Sequence, residues 1–490
     1  MAETVDKRTF LAGMQCPTQG WYAHHARSAP PPPSPGLSWR LYVGAEIGRY
    51  ARLWLGDGLL LPAAPADVAL SATRAALDDP AVRLLYEASF QSGRLVARAD
   101  ALRRDGDGWQ LIEVKSGLTP SDGDEPKPDY IDDIAYTLAI ARQTGLSVTR
   151  ASLVLINRDY RLDGARPLLA ELDVTARVAS RVSAFTADAT TLADAIAAQT
   201  RPEPRFTFVC RDCDFFATDC VGAGVPDPIF VLPGLRKKKF DALHPCTRIA
   251  ELPPDADLTD NQQRVADAVR TGTPHHDAAA LSLLDRIIWP AAYLGFEAVS
   301  PAVPWFAERP PYDATPFQYS LHICDRPGAI TVHLGYLAPS ATDWRRALAD
   351  QLLADLGTTG SIIVYSSYEK TRLSALAAVF PDLAAPIAAV IARLFDLERV
   401  VKDGYCHPEF GGRTSIKKVL PVVVPSLRYD TLDVRDGDDA MALFALMHVG
   451  QTPGHERPAV RDALLAYCHL DTLALVRLHE ALCRIRETCR

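Results

Sequence analysis

The sequence predicts an α/β protein made of two successive α/β domains, and three observations carry that prediction. The chain has 490 residues, more than one ordinary core holds and enough for two or three domains. Residues 87–117 read as two strands joined by a tight turn, followed by a helix and a further strand. A second strand-rich pattern restarts at about residue 286 after a Gly/Pro-rich connector. The expected division is 1–225, a connector at 226–285, and 286–490. Apolar residues make up 48% of the chain, as in a globular protein, and the net charge of −8 confines any polyanion-binding surface to a local patch. No stretch approaches the roughly 18 consecutive apolar residues of a membrane span, and the start MAETVDKRTF has no secretory apolar core. A cytoplasmic protein without membrane association is expected. Ten cysteines in that compartment point to reduced thiols or metal ligands, not to a disulfide scaffold.

In chain order, residues 8–25 read as helix with a break at Cys16-Pro17, and 29–36 (APPPPSPG) as a loop or short polyproline linker. Residues 38–53, which carry Glu46, and residues 66–78 read as helices. A strand at 94–102 carries Asp100. The turn Asp105-Gly106-Asp107-Gly108 is a hairpin signal, because glycine accepts positive φ. The return strand at 109–114 delivers Glu113 and, on the same face by period-2 alternation, Lys115. Asp100, Glu113 and Lys115 can therefore meet at one edge of a sheet. Two carboxylates bind a divalent cation through oxygen, and a neighbouring lysine holds an anionic group beside it. A solvated hairpin carries the same spacing. Residues 129–146 read as a helix with Tyr136, 151–157 as a strand and 167–200 as helical.

Next comes FVCRDCDFFATDC, where Cys210, Cys213 and Cys220 fall within 11 residues at C-x2-C-x6-C spacing. Thiolates at that density bind soft metals or clusters. In the connector, the basic run at 236–239 reads as a solvated loop or a nucleic-acid contact, and His244 with Cys246 is weak evidence for a metal.

These flanks and motifs resemble the RecB-like branch of the PD-(D/E)XK nucleases. The resemblance implies a restriction-endonuclease-like fold with Asp100, Glu113 and Lys115 as the core triad. It puts Glu46 at the helical metal-ligand position, Tyr136 in place of the late motif tyrosine, and Mg²⁺ or Mn²⁺ as cofactor. It also implies that Cys16 joins Cys210, Cys213 and Cys220. One cysteine before the nuclease core and three after it is the arrangement of the CRISPR-associated adaptation exonucleases and AddB-type nucleases, which carry a [4Fe–4S] cluster. Zinc on the same four sulfurs, or free thiols, are the alternatives.

In the second half, the stretch 287–304 gives an apolar strand ending at Phe296-Glu297, 316–324 and 329–337 read as strands, 343–357 as an amphipathic helix, and 361–383 as a strand entering a helix with Glu369. Asp396 follows in LFDLERVV, residues 413–425 form a short helix and turn, and 463–482 is a long helix. Tyr467 and Asp471 stand at i and i+4 on that helix, hence on one face. His322 and His333 read as ordinary strand residues. The order resembles a DnaQ-like, YprB-like exonuclease of the ribonuclease-H fold, with Glu297, Glu369, Tyr467 and Asp471 at its motif positions. Gly295 stands where that family has a metal-bridging aspartate. Together the halves resemble a bacterial two-nuclease family.

The resemblance implies a DNA-cleaving first half and a second half that binds nucleic acid with little activity. Two alternatives remain: a module that holds nucleic-acid ends with little turnover, and an exonuclease acting on RNA. A helicase or other protein partner is left open.

Overall fold

The hairpin expected at Asp105–Gly108 is present, and a six-stranded sheet grows from it. The computed structural model describes residues 3–26, 32–187, 189–339, 342–429 and 432–488. These form two units. The first comprises Met1–Pro33, Arg40–Ala223 and Pro301–Tyr312, and the second Ser34–Trp39, Gly224–Ser300 and Asp313–Arg490.

In the first unit, α1 (Lys7–Gln15) and α2 (Pro17–His25) meet at Cys16. Asp6 caps α1 by accepting the N–H of Thr9 at 2.8 Å. Pro17 starts α2, where its missing N–H costs nothing. The two helices cross with backbones nearly touching, since a Cβ on Gly20 would lie 2.6 Å from Gly13 Cα. The chain continues through α3 (Pro35–Leu55), β1 (Leu59–Leu60), α4 (Ala66–Asp78), β2 (Leu84–Ser92), β3 (Leu95–Asp105) and β4 (Gly108–Leu118). It then runs through α5 (Pro128–Gln143), β5 (Val148–Ile156), β6 (Leu169–Asp173), α6 (Thr175–Ala187) and α7 (Ala189–Ala197). The strands lie in sequence order. The β2–β3, β3–β4 and β5–β6 pairs are antiparallel, whereas β1–β2 and β4–β5 are parallel. One sheet face buries Leu102, Leu111 and Leu153 against Phe10, Ile134 and Phe185 of the helices. The other buries Ala101, Ile112 and Val154 against Ile47 and Ala51 of α3. Apolar area of this kind, at about 25 cal/mol per Å², is what holds the layers together. The proline-rich stretch at 29–36 begins outside the described residues.

The expected connector at 226–285 is not a linker but part of the second unit. It folds as α8 (Lys237–Leu243), α9 (Asp260–Thr271), β7 (His275–His276) and α10 (Ala278–Leu281), with Ile229, Leu235 and Phe240 buried. Its prolines and glycines punctuate short helical turns whose apolar residues point inward. Of its basic run, Lys237 pairs with Asp241 and Lys239 with Asp257. The sheet of this unit follows: β8 (Ala291–Val299), β9 (Thr315–Cys324) and β10 (Ile330–Leu337), then α11 (Arg345–Leu356), β11 (Ile362–Val364), α12 (Tyr368–Val379), α13 (Ala384–Ala392) and β12 (Leu394–Asp396). The chain ends with α14 (Leu397–Gly404), β13 (Tyr405–Cys406), α15 (Ile416–Val423), α16 (Gly437–His448) and α17 (Arg457–Thr488). Strand order is β10-β9-β8-β11-β12. The first three form an antiparallel meander, and β11 and β12 run parallel to β8. Central β8 is buried along nearly its whole length, as a strand covered on both faces must be. Helix α17 packs across β8 and β9. No helix among the described residues is long and apolar enough to cross a membrane.

Candidate functional site

The strands β3 and β4 pair in register from Asp105↔Gly108 to Ala101↔Ile112. Beyond that rung Asp100 Oδ2 accepts the N–H of Val114 at 2.7 Å, so a side chain replaces a ladder bond where the strands part. Glu113 lies beside it with its side chain 3% exposed. Its Oε1 accepts from Lys115 Nζ at 2.9 Å and from Lys7 Nζ at 3.0 Å. Both ammonium groups also reach Asp133 on α5, Lys7 at 2.7 Å and Lys115 in a shorter contact. Glu113 Oε2 is buried with no hydrogen-bond partner among the described residues.

Burial and then the charge of Asp100 push the Glu113 carboxyl up, against the pull of Lys115 and Lys7. For Lys115, burial pulls the ammonium down, but Glu113 and Asp133 outweigh it and the net direction is up, so its charge is fixed. For Asp133, burial pushes up and the two lysines hold it low. A cavity of about 530 Å³ opens here, lined by Asp100, Lys115, Glu87 and Arg52, with Gly44 and Gly48 of α3 leaving its wall bare. Asp100 also lines a neighbouring cavity of about 420 Å³ with Lys7 and Arg98. Glu87 sits at φ +63° and pairs with Arg98 at 2.9 Å.

Asp100, Glu113 and Lys115 are therefore brought together. Glu46 is not, because its carboxylate is bound by Arg49 at 3.2 Å, and its neighbours Ala45 and Ile47 line the cavity instead. Tyr136 is a core residue, packed on Phe10 with its hydroxyl donated to Val96 O at 3.0 Å. The side chains of α5 that face the carboxylates are Asp133 and Thr137, whose Oγ1 accepts from Lys7 at 3.4 Å. Lys7 and Asp133 were missed by sequence reasoning. No local spacing links Lys7 to Glu113, whereas Asp133 stood in view one turn from Thr137.

Cys213 and Cys220 each interact electrostatically with Cys16 and Cys210. Tyr22 of α2 stacks on Phe215 at 5.0 Å and donates its hydroxyl to Asp219 O, which ties Cys16 to the 210–220 loop. Backbone N–H groups point at three of the sulfurs: Thr207 at Cys210, Phe215 at Cys213 and Val221 at Cys220. Burial pushes the Cys213 and Cys220 thiols up, and these N–H donors pull the other way, as donors to metal-bound sulfur do, so the residues fit a bound metal group. The four sulfurs are not all within 4.8 Å of one another. One tetrahedral zinc with bonds of about 2.3 Å draws its sulfurs to about 3.8 Å. A four-iron cluster, with more atoms between its ligands, holds them wider apart.

In the second unit Glu297 on β8, Glu369 in the first turn of α12 and Asp471 on α17 form a buried acidic cluster. Burial pushes the Asp471 carboxyl up, and the neighbouring Tyr429 and Tyr467 side chains and Lys417 pull it back; Lys417 Nζ lies 5.7 Å from both rings. Burial, then Asp471, pushes the Glu297 carboxyl well up, and Lys417 pulls it back. Asp396 instead caps α14, accepting from Glu398 N at 2.9 Å. Lys417, Tyr429 and Asp436, which also acts on Glu297, were not anticipated. Gly295 offers no oxygen, and a Cβ there would meet Thr472 Cγ2 at 3.2 Å.

Glu369 Oε2 is buried with no hydrogen-bond partner among the described residues. Burial pushes its carboxyl from 4.5 to about 8. A raised folded value means that this group's contribution to stability is complete below about pH 4.5 and is lost as pH rises through about 8. Each tenfold change in a group's proton affinity on folding is worth about 1.4 kcal/mol. Glu369→Gln is therefore expected to stabilise the protein at pH 9 by on the order of 3–5 kcal/mol, and to be neutral near pH 4. Denaturant titrations at the two pH values check this, and an equal effect at both would contradict it.

The profile of a family described as "Domain of unknown function (DUF2779)" matches residues 292–415. No curated protein matches the chain. Among solved structures, one titled "Crystal structure of SSO0001" is similar at 18% identity over 43% of this chain and 96% of its own, with a TM-score of 0.17. At that score the likeness carries no argument.

Proposed function

We propose that the protein is a divalent-metal-dependent nuclease that hydrolyses DNA phosphodiester bonds at the Asp100–Glu113–Lys115 site. The observation that carries this reading is the buried Glu113 Oε2, without a hydrogen-bond donor among the described residues, beside Asp100, which itself lines a cavity with Lys115 and Arg52. A buried carboxylate oxygen costs free energy unless something takes it up, and an oxygen-binding cation does so. The order α3-β2-β3-β4-α5-β5 supports a restriction-endonuclease-like reading of the first unit. Asp100 and Glu113 would hold a Mg²⁺ or Mn²⁺ ion, which would supply Lewis-acid stabilisation of the charge that develops on the phosphodiester. Lys115, locked between Glu113 and Asp133, presents a fixed positive charge to the phosphate. Arg52 adds a second cation on the same wall, so a chain of net charge −8 still offers a local site for a polyanion. Lys7 holds Glu113 and Asp133 from the far side. Cys16, Cys210, Cys213 and Cys220 hold a [4Fe–4S] cluster as a structural staple.

The meander β8-β9-β10 followed by parallel β11 and β12 supports a ribonuclease-H-like second unit. We read that unit as binding nucleic acid with feeble activity. Lys417 already places an ammonium against Glu297 and Asp471, and Gly295 removes one ligand. Restoring the acid requires space as well as oxygen. Gly295→Asp with Thr472→Ser, which removes the obstructing methyl, is expected to raise metal-dependent exonuclease activity by at least tenfold over Gly295→Asp alone. Equal rates for both variants would count against the reading.

The proposal is tested by incubating anaerobically purified protein with end-labelled single- and double-stranded DNA and RNA, in Mg²⁺, Mn²⁺ or EDTA. Cleavage of DNA in either metal and none in EDTA is expected. Full cleavage in EDTA, or cleavage of RNA alone, would overturn it.

A further inference from the structure

Three histidines from three different elements converge on the second unit's sheet. His322 on β9 and His333 on β10 are direct cross-strand partners. His469 comes from α17. Their ring centroids lie 4.5, 4.8 and 4.4 Å apart, and one nitrogen from each falls within 4.8 Å of the other two. Among the described residues, this is the group of three or more His, Cys, Asp and Glu side chains that meets that distance.

Hydroxyls engage one nitrogen on each of two of the rings. Thr472 Oγ1 lies 2.8 Å from His322 Nδ1, and Ser320 Oγ lies 2.9 Å from His333 Nε2. The two hydroxyls are 2.7 Å apart, and Thr472 can in turn donate to His469 O at 3.2 Å. This chain has one consistent proton arrangement in which both imidazoles donate outward. His322 N–H gives to Thr472, His333 N–H gives to Ser320, Ser320 O–H gives to Thr472, and Thr472 O–H gives to the backbone. The second nitrogen of each of these two rings is then left with a free lone pair, available to a cation. Histidines that bind metals are oriented in this way, by an acceptor on the outer nitrogen.

We propose that His322, His333 and His469 form a binding site for a divalent transition-metal ion, with zinc as the expected occupant. Three imidazoles are a ligand set for zinc that leaves a fourth position open. Zinc bonds of about 2.0–2.1 Å bring ligand nitrogens to about 3.4 Å in a tetrahedron, so small ring rotations close the site. Solvent reaches it from the side of His333, which is exposed, while His322 is 2% exposed. The ion pins β9 and β10 to α17, the helix that carries Asp471 two residues beyond His469. The site does not depend on the nuclease reading.

The test uses the full chain, stripped with a chelator and titrated with Zn²⁺ alone. Both metal content and binding are followed, beside His333→Gln and Ser320→Ala variants. The four cysteines and the acidic clusters are the same in all three proteins, so their zinc cancels in the comparison. Wild type should take up one equivalent more than His333→Gln. Ser320→Ala should bind that equivalent 10–100-fold more weakly, the usual loss when a partner of a ligating histidine is removed. Equal zinc uptake and equal affinity in wild type and His333→Gln, both folded by circular dichroism, would overturn the proposal. If His333→Gln fails to fold, a zinc affinity and stoichiometry in Ser320→Ala unchanged from wild type would do the same.

Discussion

Cys213→Ser is expected to destabilise the first unit by about 3–5 kcal/mol, the range for removing a covalent tie that closes a long loop. Cys16 and Cys210 are separated by nearly 200 residues, and the entropy of closing such a loop grows slowly with its length. The wild-type protein, prepared without oxygen, should be brown, with absorbance near roughly 400 nm from all-cysteine iron ligation. The variant should be bleached and should unfold at lower denaturant. Colourless wild-type protein that holds one zinc more than Cys213→Ser would contradict the cluster, and an unchanged midpoint in Cys213→Ser would contradict the staple. The loss should also reach the acidic site. Helix α1 begins at Lys7, which bonds Glu113, and ends next to Cys16. Nine residues at about 1.5 Å each put the two ends about 13 Å apart on one rigid element. Cleavage should therefore fall in the variant even where its fold is intact.

Lys115→Ala is expected to lower single-turnover cleavage by two to three orders of magnitude. Losing one preorganised charge-stabilising donor costs about 10²–10³ in rate. Lys7→Ala should cost less. Lys7 reaches the same two carboxylates but lies on the neighbouring cavity, with Lys115 still in place to neutralise Glu113. Single-turnover rates in Mg²⁺, with thermal melts to confirm folding, measure both. A Lys115→Ala protein within tenfold of wild type, or Lys7→Ala as the more damaging change, would refute the assigned roles.

The parts of these sites that were legible in the sequence are those joined by short spacing. The turn at Gly106, the pair Glu113 and Lys115 at i and i+2, the three cysteines at 210–220, and Tyr467 with Asp471 at i and i+4 are all set by local geometry. Long-range partners were hidden. Lys7 meets Glu113 across 106 residues, and Lys417 meets Asp471 from another helix. His322 and His333 read as ordinary strand residues because their third partner lies far along the chain on α17. The misplacements have a different cause. Resemblance identified the helices that carry Glu46 and Tyr136 but not their rotation, and neighbouring helical residues point about 100° apart. On α5 that rotation sends Tyr136 into the core and turns Asp133 and Thr137 towards the carboxylates. The 226–285 segment was misjudged because glycine and proline mark turns inside a folded region as readily as they mark a linker.

On the proposed function, the first unit's carboxylates cleave DNA and the second unit's do not. The most direct test compares Asp100→Ala with Asp471→Ala on the same end-labelled DNA, in Mg²⁺ and at equal protein concentration. Asp100→Ala is expected to abolish cleavage and Asp471→Ala to leave it nearly unchanged. Cleavage that survives Asp100→Ala and disappears in Asp471→Ala would contradict that function and place the chemistry in the second unit.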